Sequence, residues 1–155
     1  VQRILVTMGT GAAPPVRGLR PVAAVAPGVA AATGLSLQQL AAALVGQLRP
    51  AAVVCVDSLC SAEGQRLGRT VQFSDSGLYP AQADHTRHLT RDTLGVPVVA
   101  AGIPTLMQAQ EGADLVVTPR ALDSVIAHGA ALLAGSVNRA LQPRLTVQQL
   151  CWLTG

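Results

Sequence analysis

Four short apolar runs set the architecture open to this chain: Arg3–Gly9 (RILVTMG), Ala51–Asp57 (AAVVCVD), Val96–Gly102 (VPVVAAG) and Ala113–Pro119 (ADLVVTP). Each has the length of a strand and is bounded by Gly, Pro or Asp, which predicts strands buried on both faces. Pro21–Gly28 (PVAAVAPG) and Thr70–Gly77 (TVQFSDSG) read as two further strands. Helical stretches lie between them. Ser36-Leu37-Gln38-Gln39 is a capping box that opens a helix to about Leu48, and Thr146-Val147-Gln148-Gln149 repeats it for a short final helix. Thr118-Pro119 places an N-cap and a first-turn proline before a helix reaching about Leu141. Strands alternating with helices predict an α/β fold, a three-layer sandwich around a mostly parallel or mixed sheet, in one domain over residues 1–155.

One connection breaks the pattern. A parallel crossover takes a dozen or more residues and a helix, yet Gly9–Pro21 contains Pro14, Pro15 and three glycines before Pro21 and can hardly form one. A segment that would normally cover the sheet is therefore expected to be missing between about 11 and 20.

Composition narrows the function classes. The net charge of +3 comes from eleven Arg and no Lys, scattered from Arg3 to Arg144, and the chain has one Trp, one Tyr and one Phe. Phosphate binding wants clustered charge with stacking aromatics, so no nucleic-acid partner is expected. Cys55, Cys60 and Cys151 have no metal-like spacing and read as reduced thiols. No apolar run reaches the roughly 18 residues of a membrane span and no signal pattern opens the sequence, so the expectation is a soluble, intracellular chain.

Asp57 is the sharpest candidate residue, because ligands in α/β proteins bind outside the carboxyl ends of parallel strands. It reads equally well as a helix N-cap or a strand-end hydrogen bonder. Asp75, in SDSGLYP, reads more readily as a turn former than as an acid. His85 and His88 in DHTRH have a spacing that on a helix could hold a metal, but their flanks are polar and favour a solvated loop; His128 falls inside the long predicted helix. GTGAAP (Gly9–Pro14) follows a strand but lacks the third Gly and the helix of a dinucleotide-binding turn. Ser58, Ser61 and Cys60 have no His nearby in sequence and no G-x-S-x-G elbow.

Six blocks in order carry a family resemblance: Arg20–Ser36 (RPVAAVAPGVAAATGLS), Arg49–Ser61 (RPAAVVCVDSLCS), Thr70–Pro80 (TVQFSDSGLYP), Thr93–Leu106 (TLGVPVVAAGIPTL), Val116–Ile126 (VVTPRALDSVI) and Val137–Pro143 (VNRALQP). Together they make the chain similar to the germination protease family of spore-forming bacteria, endopeptidases of small acid-soluble spore proteins. The resemblance implies an α/β sandwich like that of hydrogenase maturation proteases, a homotetramer in the cytoplasm of the spore core, and a zymogen that processes itself at its N-terminus. It also implies an atypical aspartic-type peptidase with Asp57 on one of two catalytic aspartates; the residues themselves add Asp75 as a supporting or structural acid and, with His85 and His88 in a polar loop and His128 in a helix, the expectation of no metal and no cofactor. The second catalytic aspartate belongs to a T-P-D-A-L-G-P-like segment after the first strand, and none occurs between Gly9 and Pro21. The stretch Ala81–Asp92 (AQADHTRHLTRD) also departs from the family pattern. Two rivals follow: a catalytically inactive homologue acting as a binding or structural protein, and a metal-recognising relative of hydrogenase maturation proteases in which Asp57 and a His recognise nickel.

Overall fold

The computed structural model describes residues 3–8, 18–28, 34–79, 88–108 and 116–155. The chain divides into two compact units, one made of Pro27–Gly129 and the other of Val1–Ala26 with Ala130–Gly155.

The larger unit holds the sheet. Helix α1 (Leu37–Leu48) opens on the expected capping box: Ser36 Oγ accepts from the Gln39 amide, and the Gln39 side chain accepts from the Ser36 amide. Strand β1 (Val53–Ser61), a short 3-10 turn (Gly64–Arg66) and strand β2 (Gln72–Ser74) follow. A one-turn helix α2 (Arg91–Leu94), with its own capping box at Thr90 and Thr93, precedes strand β3 (Val98–Gln108) and strand β4 (Val116–Val117). The four strands form one mixed sheet in which β3 is central: parallel to β1, antiparallel to β2 and to β4.

Burial differs from expectation on β1. Its run is not covered on both faces: Cys55 is buried, while Val54 and Val56 stand 39% and 52% exposed. The core lies on one face of the sheet, where Cys55, Leu78, Leu89, Leu94, Val98 and Ala100 pack together with Leu37, Ala41 and Val45 of α1. That i, i+4, i+8 spacing is the apolar stripe of an amphipathic helix, so α1 covers the Cys55 side and leaves the valines opposite in the open. On the latter face, Gly129 of helix α3 (Leu122–Leu141) lies against the Ile103 side chain. Helix α3 starts three residues later than the Pro119 signal suggests.

Arg3–Gly9 and Pro21–Gly28, which lie mostly in the smaller unit, were expected to supply strands, but neither forms one over its described residues. They run beside each other through a few bonds only. The Thr7 and Met8 amides donate to the Val22 carbonyl at 2.9 and 3.0 Å, and the Val22 amide donates to Thr7 Oγ1 at 2.8 Å. Two buried carboxamides, Asn138 of α3 and Gln142 just past its end, take over where a ladder would have run. Asn138 accepts from the Leu5 amide (2.9 Å) and donates to the Arg3 carbonyl (2.8 Å), while Gln142 accepts from the Arg20 amide (2.8 Å) and donates to the Arg20 carbonyl (2.7 Å). Helix α4 (Val147–Thr154) closes the chain on the capping box expected at Thr146. The expected gap between about 11 and 20 lies mostly outside the described residues. No helix among the described residues is long and apolar enough to cross a membrane.

Candidate functional site

Asp57 does not end its strand, as its position before small polar residues suggests, but lies in the middle of β1, opposite Gly102 of β3. The pairing continues because Ser58–Ser61 extend β1 alongside β3, with a register shift after Leu59. A bulge of this kind re-aims the side chains on either side of it. The Asp57 side chain is exposed, and its Oδ1 accepts from the following amide, that of Ser58, at 2.8 Å. One carboxylate oxygen is thus fixed locally, and the chemistry of the group is available to solvent.

Gly102 explains how closely β1 and β3 approach at this level. A Cβ at that position would collide with the Asp57 carbonyl oxygen and stand 2.7 Å from Leu59 Cγ, so only glycine lets the two strands approach at this level. Two residues before Asp57, on the same side of the pleat, Cys55 is buried; burial first, and the Asp57 carboxylate second, push its thiol up from 9.0 to about 11. Cys55 is accordingly a protonated core thiol and not a nucleophile.

Asp75 sits in the turn after β2, exposed. Its serine neighbours build that turn: Ser74 Oγ and Ser76 Oγ lie 2.7 Å apart, Ser74 Oγ accepts from the Ser76 amide at 3.2 Å, and the Tyr79 hydroxyl donates to the Ser76 carbonyl at 3.3 Å. Gly77 then takes φ +107°, and a Cβ there would strike the Leu89 carbonyl. The SDSG block thus forms a turn that leads Leu78 to its bridge with Leu89, with the Asp75 carboxylate exposed on it.

The histidines are dispersed. His88 packs edge-on against Tyr79, with ring centroids 4.9 Å apart, in a non-helical segment; Asp84 and His85 lie outside the described residues. His128, inside α3 as expected, has Nδ1 2.8 Å from the Ser124 carbonyl, one turn earlier. No group of three His, Cys, Asp or Glu side chains among the described residues could share a metal ion. Cys60 and Cys151 are free and exposed. The residues that motif reading passed over are Asn138 and Gln142, whose i, i+4 spacing inside the VNRALQP block was the available signal.

Comparison with known proteins bears on what this arrangement does. The sequence model of the family described as germination protease matches residues 3–113. The germination protease of Halalkalibacterium halodurans is 37% identical over 113 residues, which take in 72% of this chain and 29% of that protein. That of Bacillus licheniformis is 33% identical over 129 residues, with 81% of this chain and 34% of the relative covered. That of Clostridium perfringens strain SM101 is 28% identical over 180 residues, covering 85% of this chain and 55% of the relative. The chain thus spans about half the length of the Clostridium relatives it matches, and less of the Bacillus ones. As 85% of 155 residues is about 132, the 180-residue alignment leaves about 48 positions of the C. perfringens protein without a counterpart here.

Proposed function

The chain belongs to the germination protease family, and we propose that it acts as an endopeptidase that degrades small acid-soluble spore proteins during germination, with Asp57 as one of its catalytic carboxylates. The observation that carries this reading is the exposed Asp57 carboxylate, set opposite the collision-limited Gly102 inside the family-matched stretch. The wider setting proposed with it is a cytoplasmic homotetramer of the spore core, made as a zymogen, with a sandwich like that of hydrogenase maturation proteases.

Hydrolysis of a peptide bond by carboxylates needs two of them. One is ionised and takes a proton from water as the water attacks; the other is protonated and donates to the scissile carbonyl. Placed close together, like charges cannot both ionise, so the pair shares a proton and titrates as a unit. Asp57 supplies one member. We propose that the natural polypeptide carries the other at the start of a helix, in a segment between about 11 and 20 additional to this sequence; the roughly 48 extra positions of the C. perfringens alignment leave room for such a segment, and an intact mass above 15.8 kDa would show it.

Incubation of the purified chain with a small acid-soluble spore protein, read by mass spectrometry, tests the proposal. Discrete internal cleavage is expected. An intact substrate under all conditions favours the inactive, binding homologue, for which the absence of a T-P-D-A-L-G-P-like segment between Gly9 and Pro21 is the motive.

A further inference from the structure

The strand register places a second polar arm beside Asp57. Gly102 is paired with Asp57 on one side and with Gln72 of β2 on the other, so the three residues form one row across the sheet. Side chains at directly paired positions of adjacent strands emerge on the same face. Phe73, the next residue, is 65% exposed on the opposite face, which fixes the alternation of β2 and puts Gln72 on the Asp57 face. Two interstrand spacings of about 4.8 Å separate the Asp57 and Gln72 backbones by roughly 10 Å. Between them Gly102 presents no side chain, and Leu59 leans over it as an apolar floor.

One level further down the same face, Cys55, Ala100 and α1 close the core. The Asp57–Gly102–Gln72 row is therefore where the helical cover gives way to an open, polar-edged sheet face. Gln72 is half-buried, and the serine-built turn that follows, with Gly77 against Leu89, anchors the end of its strand.

We propose that Gln72 is the substrate-positioning residue of the Asp57 site: its carboxamide binds the backbone of an extended peptide lying over Leu59, and holds the scissile carbonyl toward Asp57. The proposal rests on Asp57 being the catalytic carboxylate. A carboxamide suits the task because it offers both a donor and an acceptor to a peptide group without placing a second charge beside the carboxylate. The substrate class that fits is a peptide in extended conformation, recognised through its main chain.

The test separates this role from catalysis by Asp57. An uncleaved state is trapped with Asp57→Asn, and binding of a fluorescently labelled spore-protein peptide is measured for that chain and for the Asp57→Asn, Gln72→Ala double variant. At least tenfold weaker binding by the double variant, with unchanged thermal midpoint, is expected. In the Asp57 background, Gln72→Ala and the isosteric Gln72→Glu should both raise KM by at least tenfold while changing kcat less. Equal affinities of the two trapped chains, or no binding by either, overturns the assignment of Gln72. Undiminished cleavage by Asp57→Asn alone overturns the catalytic reading of Asp57 instead.

Discussion

A carboxylate, a thiol and a glycine within two strands make up the chemistry that can be argued residue by residue. The Cys55 thiol titrates at about 11 in the folded chain, against 9.0 for an unperturbed group, because burial disfavours the thiolate and Asp57 adds to that. The folded state therefore holds this proton more tightly than the unfolded state. The stabilisation is fully present below pH 9.0 and is lost as pH rises from there to about 11. Urea midpoints measured across that window should fall for the wild type and stay level for Cys55→Ala relative to its own starting value. Alkylation near neutral pH should modify exposed Cys60 and Cys151 well before Cys55. Gly102→Ala drives a methyl into the Asp57 carbonyl and Leu59; overpacking of this kind costs about 1–3 kcal/mol, and denaturant unfolding should show it. Asp57 was legible as a candidate from its place in an apolar run, but the glycine that lets β3 approach its backbone was not, because the pairing of residues 57 and 102 is a long-range fact that local sequence does not carry.

Among the elements, those with local chemistry were the readable ones. The capping boxes at Ser36 and Thr146 specify α1 and α4 because both reciprocal bonds lie within four residues, and Ser36→Ala should cost about 1 kcal/mol in stability. The same device at Thr90 and Thr93 escaped notice because the helix it opens is only four residues long. Arg3–Gly9 and Pro21–Gly28 were over-read as strands for the opposite reason. Their apolar composition suits a sheet, but backbone groups of Arg3 and Leu5 are met by Asn138, and those of Arg20, just before the second run, by Gln142, more than a hundred residues away in sequence. Asn138→Ala leaves the Leu5 amide and the Arg3 carbonyl without those partners, at a cost of about 1–3 kcal/mol when buried. Amide exchange should accelerate at Leu5 in this variant and remain unchanged along β3. Substitution by Asp would not restore the bond to Arg3, since a carboxylate has no donor to offer.

At the scale of the whole molecule, the α/β class and the mixed sheet were readable from apolar runs alternating with helical stretches, and the family from six ordered blocks, whereas the uneven cover of the sheet was not. Apolar composition records that a strand is half-buried or better; it does not record which face a helix takes. A catalytic pair without metal should keep its rate after exhaustive chelation, and loss of cleavage restored by added nickel or zinc would favour a metal-recognising relative. The decisive comparison is the rate of spore-protein cleavage by the wild-type chain and by Asp57→Asn, with circular dichroism confirming that both are folded. Asn keeps the size of the side chain and an acceptor for the Ser58 amide but removes the ionisable group. Wild-type cleavage with a fall of at least about a thousandfold in the variant is the expected result, since removal of a catalytic group typically costs on the order of 10³ or more. Equal rates in the two folded chains would mean that Asp57 only caps its own strand and that the chemistry lies elsewhere.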